Sequence, residues 1–140
     1  MLGEVFLLTT ATYLLSWETR MPEVFITANR ARSELTDEFL VGFAEQLRAF
    51  TAQALSCDDV GGRLNSTDVE VEIKDRDPKR NIGGAKYDLK ILILANDFPS
   101  RKANLEQRGS QLKEKVAAVL APNIHGSIWI RLAPAAYVQF

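Results

Sequence analysis

The 140-residue chain has one cysteine, one histidine and almost no imbalance of charge. A lone thiol cannot close an intramolecular disulfide, and one Cys with one His gives no cluster with zinc-ligand spacing. Neither a disulfide framework nor a metal site is expected, and a reducing cytoplasm is the expected compartment. The 17 basic residues nearly cancel the 18 acidic ones, for a formal charge of −1. Such a chain has no long-range field for nucleic acid or anionic lipid, which leaves small molecules or copies of itself as the expected partners.

Long hydrophobic runs are missing as well. Val5-Phe6-Leu7-Leu8 and Tyr13-Leu14-Leu15 are interrupted by threonines and fall short of the roughly 18 continuous apolar positions of a spanning helix. A basic start and a small-residue cleavage site are also lacking, since Glu4 comes early and Glu18-Thr19-Arg20 closes the stretch. Residues 1–21 therefore read as an extension of a domain that begins at Pro22. Absent too are G-x-S-x-G, a P-loop, H-E-x-x-H and paired C-x-x-C motifs, so no common hydrolase, nucleotide or metalloprotease chemistry is indicated.

What is present is a globular composition, 46% hydrophobic and 25% charged, which excludes disorder and suits a single core. Val24-Phe25-Ile26-Thr27-Ala28 is a short β-branched and aromatic run ending at Asn29, as a buried strand does. Thr36 followed by Asp37 and Glu38 forms a helix start, after which Phe39, Leu40, Phe43, Leu47, Phe50 and Ala54 recur at helical spacing to about Leu55. Beyond Gly61-Gly62, Asp68 to Lys74 alternates strictly and predicts a strand with one polar face. These segments make a first β-α-β unit over 22–75.

Pro78, Gly83 and Gly84 punctuate a connection, and the pattern then repeats over 87–132. Tyr87 to Ala95 reads as a central strand. Ser100 is the expected cap of a second helix, in which Leu105, Leu112, Val116, Val119 and Leu120 share a face until Pro122 stops it. Ser127 to Leu132 alternates as the last strand, and an apolar tail, 133–140, follows. The expectation is an α/β (α+β) fold of tandem β-α-β units, a four-stranded mixed sheet with two helices on one face. The uncovered face calls for another subunit.

Candidate chemistry lies in a cationic cluster near strand ends: Arg30 and Arg32 after the first strand, then Arg76, Lys79 and Arg80 before the Gly-Gly turn. Guanidinium groups bracketing one β-α-β unit can hold a small carboxylate by bidentate contacts. His125, in a Pro-Asn-Ile-His-Gly turn, and Cys57, at a helix end, read as structural residues.

The run from Pro22 through Val24-Phe25-Ile26 to Arg32-Ser33 resembles the opening of the tautomerase superfamily, which includes 4-oxalocrotonate tautomerase and macrophage migration inhibitory factor. In that family a proline directly after the initiator methionine begins the first strand, and in its 4-oxalocrotonate tautomerase group an arginine-serine pair follows about ten residues on. Asn81-Ile82-Gly83-Gly84 is similar to the family's Ile-Gly-Gly segment, and the length suits members with two fused β-α-β units that assemble as trimers. In this chain Glu70 stands where 4-oxalocrotonate tautomerase is expected to have a second-strand arginine, and Arg80 lies nearest the place of an aromatic before Ile-Gly-Gly.

The resemblance implies a cofactor-independent tautomerase or isomerase acting on a small unsaturated keto or enol carboxylic acid. Pro22 would be the catalytic base, Arg32, Arg80, Arg76 and Arg30 would bind the substrate carboxylate, and the assembly would be a homotrimer. A terminal prolyl amine near guanidinium groups, titrating below the usual range of about 7.7 to 8.0, is neutral at physiological pH and can move a proton. An internal Pro22 is an amide with no basic lone pair, so this chemistry requires a chain beginning at Pro22. The alternative is a non-catalytic tautomerase-like or ferredoxin-like binding module in which the arginines are surface charge.

Overall fold

The computed structural model describes residues 22–77, 79–80 and 87–134. The extension 1–21, the Ile82-Gly83-Gly84 segment and the end of the tail lie outside these residues. Strand β1 (Glu23–Ala28) alternates half-buried and buried positions, turning Val24, Ile26 and Ala28 inward. Helix α1 (Asp37–Leu55) starts where expected. Thr36 is extended, at φ −77° and ψ 163°, and its hydroxyl accepts the Phe39 N–H at 3.1 Å. That bond satisfies one of the unpaired amides of the first turn.

Strand β2 (Glu70–Asp75) begins two residues later than the alternation suggests, because Ser66–Asp68 forms a 3₁₀ turn first. The Asp68 carboxylate accepts the Asn65 N–H at 2.7 Å and holds that turn closed. Strand β3 (Leu89–Asn96) likewise starts after Asp88, whose own N–H is spent on the His125 carbonyl at 2.7 Å.

The second helix differs from expectation by being broken. A short helix α2 (Pro99–Ala103) is followed by α3 (Leu105–Val119), with Asn104 at φ −132° and ψ 36° between them. Ser100 is therefore no N-cap. It lies inside the first turn of α2, and its hydroxyl and N–H both donate to the Asp59 carboxylate, at 3.0 and 3.1 Å. Strand β4 (Gly126–Ala133) closes the fold.

The four strands lie in the order β2-β1-β3-β4. Pairs β1/β2 and β3/β4 are parallel and the central pair β1/β3 is antiparallel, so the two units meet along β1 and β3. Helices α1 and α3 pack on each other and on the same face of the sheet. Between helices and sheet lie Leu40, Phe43, Leu47, Leu112 and Val116 from the helices and Ile26, Leu89, Ile91 and Ile93 from the strands. Burying such side chains is the main favourable term, at about 1.5 to 3 kcal/mol for each fully covered aliphatic residue.

Two arginines join the units. Arg101, wholly buried, donates Nε–H to the Leu55 carbonyl at 2.8 Å and Nη1–H to that of Asn96 at 2.9 Å. Arg108 donates to the carbonyls of Ala54 and Ser56 at 2.9 and 2.7 Å. Helix α1 has no basic residue in its own last turn, so these two side chains from the second unit satisfy its C-terminal carbonyls. Burial holds the Arg101 guanidinium below its ordinary pKa.

The opposite face of the sheet is uncovered. Across it run Glu72, Phe25, Leu92 and Trp129 in one row, with Trp129 67% exposed. Lys74, Thr27 and Lys90 form the neighbouring row on one side, and Glu70, Glu23, Leu94 and Arg131 the row on the other. Among the described residues no helix is long and apolar enough to cross a membrane.

Candidate active site

Pro22 sits immediately before β1 and is buried. Its carbonyl accepts the Glu70 N–H at 3.3 Å, extending the β1/β2 ladder by one bond. The register that opposes Glu23 to Leu94 puts Pro22 at the end of the sheet where β3 finishes. Arg101, bound to the Asn96 carbonyl, is a buried cation at that same end. It was not among the residues singled out from the sequence. A basic residue just after an apolar strand is too common a pattern to distinguish it from a solvated charge.

Three of the arginines expected to bind substrate, Arg30, Arg32 and Arg76, gather at the opposite end. Strand β1, of six residues, separates them from Pro22 by roughly 20 Å. Within one chain the proposed base and these three arginines do not meet.

At that far end Arg30 pairs with Asp37 at 2.5 Å and with Asp75 at 3.5 Å. The backbone N–H of Arg76 donates to the Ala28 carbonyl at 2.8 Å, which sets the two arginine-bearing segments side by side. The Arg76 Nη1–H donates to the Tyr87 carbonyl at 3.2 Å, while its buried Nε–H has no hydrogen-bond partner among the described residues.

Arg32 is more heavily engaged. It donates Nη2–H to Glu34 and to the Asn123 carbonyl, both at 3.1 Å, and its Nε lies 3.8 Å from Asp88. Asn123 Nδ2–H donates to the same Glu34 oxygen at 3.0 Å, and Asp88 accepts the His125 N–H at 3.0 Å. Arg32 thus fastens the β1–α1 loop to the α3–β4 loop. The Ser33 hydroxyl, donating at 3.0 Å, is the main cause holding the Glu34 carboxyl below its ordinary pKa, and Arg32 acts in the same direction.

Arg80 is set apart from the cluster, with an 88% exposed side chain and a 3.5 Å ion pair to Asp77. Sequence reasoning missed Glu34 and Asp88, the carboxylates facing Arg32. Asp88 had a visible signal, as a charge interrupting an otherwise apolar strand.

The geometry defines a class of protein: tandem β-α-β units joined along antiparallel central strands, with a buried proline at one end of β1 and arginines at the other. No family model and no curated protein sequence matches the chain. Solved structures match its fold. A macrophage migration inhibitory factor-like protein from Entamoeba histolytica aligns over 81% of this chain and 88% of its own, at TM-score 0.52 and 13% identity. A fused 4-OT solved as an asymmetric trimer aligns over 84% and 91%, at TM-score 0.56 and 14% identity. A 5-carboxymethyl-2-hydroxymuconate delta-isomerase aligns over 89% of both chains, at TM-score 0.54 and 13% identity. The chain has the tautomerase-superfamily fold.

Proposed function

We propose that this protein is a cofactor-independent tautomerase or isomerase that moves a proton on a small unsaturated keto or enol carboxylic acid, with Pro22 as its base when Pro22 is the amino terminus. The observation that carries the reading is the buried Pro22 at the head of β1, in a fold shared with an isomerase and a fused 4-OT. A secondary amine buried there, at the same end as the Arg101 guanidinium, is disfavoured in its charged form by desolvation and by like charge. The neutral amine takes a proton from the carbon or enol oxygen and returns it at the other end of the conjugated system.

Arg30, Arg32 and Arg76 stand at the other end of β1 from Pro22, so any of these that binds the substrate carboxylate at Pro22 comes from a neighbouring copy. Arg32, Arg76, Arg30 and Arg80 are the proposed binders. The uncovered sheet face supports a closed ring of copies, which we take to be a homotrimer. Its Glu70 and Glu23 lie toward the β2 edge and its Arg131 on the β4 edge, so a head-to-tail neighbour meets opposite charge. A cytoplasmic location belongs to the same proposal.

Ketonisation of phenylenolpyruvate tests this reading in three forms: protein beginning at Pro22, its Pro22→Ala variant, and the full 140-residue chain. Only the first is expected to turn over substrate. Equal activity in all three removes Pro22 from the mechanism and favours a non-catalytic binding module.

A further inference from the structure

The two β-α-β units share an architecture but differ in the groove between helix and edge strand. In the first unit this groove is only about 300 Å³. Arg48 lies across it, donating Nε–H to the Val69 carbonyl at 2.9 Å and pairing with Glu45 at 3.2 Å. In the second unit the groove between α3 and β4 opens to about 820 Å³. Gly109 adds no side chain of its own on the α3 wall, and a Cβ there would stand 3.7 Å from Ile130 Cδ1 on the β4 wall.

Val116, Leu120, Ile124, Ile128 and Ile130 wall this groove with apolar surface. Three ionisable side chains also line it: Glu106, Lys113 and His125. None of the three side chains has a hydrogen bond or ion pair among the described residues. Their order is directional. Strands β3 and β4 are parallel, so the crossover helix α3 runs back against β4, which with Gly109 beside Ile130 puts Glu106 toward the end of β4 and Lys113 and His125 toward its start. Glu106 and Lys113 are separated by about 10 Å of helix rise.

We infer that the α3–β4 groove is a binding site for an amphipathic monocarboxylate, separate from the proposed chemistry at Pro22. The aliphatic body lies on the isoleucine and valine walls, and the carboxylate is held by Lys113 and His125. A preformed apolar cleft of a few hundred Å³ with a few converging polar groups is the usual form of a small-molecule site. Glu106 makes the site selective, because an acid charged at both ends would set its second carboxylate against that of Glu106.

Calorimetric titration of the full chain with octanoate, 1-octanol and octanedioate tests this. Octanoate is expected to bind about tenfold more tightly than either of the others, the difference expected for one charge-assisted hydrogen bond. Lys113→Ala should remove the preference for octanoate over 1-octanol, and Glu106→Gln should restore octanedioate. Gly109→Phe fills the groove and should abolish binding. Ala117→Phe, at an exposed groove position that leaves the core intact, repeats that test without risk to folding. Pro22→Ala should leave octanoate affinity unchanged, so failure here and failure of the catalytic reading are distinguishable. Absence of octanoate binding at millimolar concentration, equal binding of 1-octanol, or binding that survives both groove-filling variants overturns the inference. So does a change in subunit number in those variants, which would make the groove a contact between copies.

Discussion

Arg101 donates Nε–H to the Leu55 carbonyl at 2.8 Å from a wholly buried position, so a side chain of the second unit terminates the helix of the first. With the Arg108 bonds to the Ala54 and Ser56 carbonyls and the shared sheet, this contact is one of several ties from which unfolding of the two units as one is expected. Replacing Arg101 by Met removes donors from two buried carbonyls and should cost about 2 to 3 kcal/mol. Urea unfolding of Arg101→Met should remain a single transition with a lowered midpoint. Separate transitions for the two units would contradict this coupling.

Gly126 is a second point of close approach. A Cβ there would come within 2.9 Å of the Leu89 carbonyl oxygen and 3.3 Å of Leu89 Cβ, and the backbone group has no freedom to swing aside. Gly126→Ala should therefore destabilise by about 1 to 3 kcal/mol, against the small change expected at Gly42, where a Cβ meets nothing within 4 Å. Thermal unfolding of the two variants side by side measures the difference.

The Arg32 fastening should weaken in acid. Glu34 titrates below its ordinary value of 4.5 in the folded chain, chiefly through the Ser33 hydroxyl, so folding binds fewer protons there than unfolding does. Its contribution is complete above 4.5 and fades as pH falls through the folded-state value. Side-chain carbon NMR should find the Glu34 pKa below 4.5 and moved upward in Ser33→Ala. The stability of Glu34→Gln should fall less steeply with acid than that of the parent protein.

Periodicity made the elements legible. The Thr36 cap, the face of α1 and the alternation of β2 follow from local rules, and the structure agrees with them. Breaks in the pattern were harder to see. Ser100 has the composition of a cap, yet its hydroxyl goes to Asp59, a residue 41 positions away that no local pattern connects to it. The candidate site was legible as residue types and not as geometry. Pro22 and the arginines stand out in the sequence, but strand order and register are needed to find that β1 holds them apart.

Arg76 and Arg80 differ in setting, since the Arg76 backbone is bonded to Ala28 beside β1 while Arg80 is exposed and set apart. Arg76→Ala should raise KM for a carboxylate substrate about tenfold with a smaller change in kcat, as loss of one charge-assisted contact does. Arg80→Ala, with an 88% exposed side chain, should change KM less and leave the melting temperature unaltered. Steady-state kinetics of both variants, begun at Pro22, provide the comparison.

The central claim is that Pro22 is a neutral base at physiological pH, and nitrogen-15 NMR titration of the prolyl amine in protein beginning at Pro22 tests it most directly. The prolyl amine should titrate clearly below the ordinary α-amino range of about 7.7 to 8.0, and closer to that range when Arg101 is replaced. An amine that titrates within or above that range, unmoved by the Arg101 substitution, would contradict it.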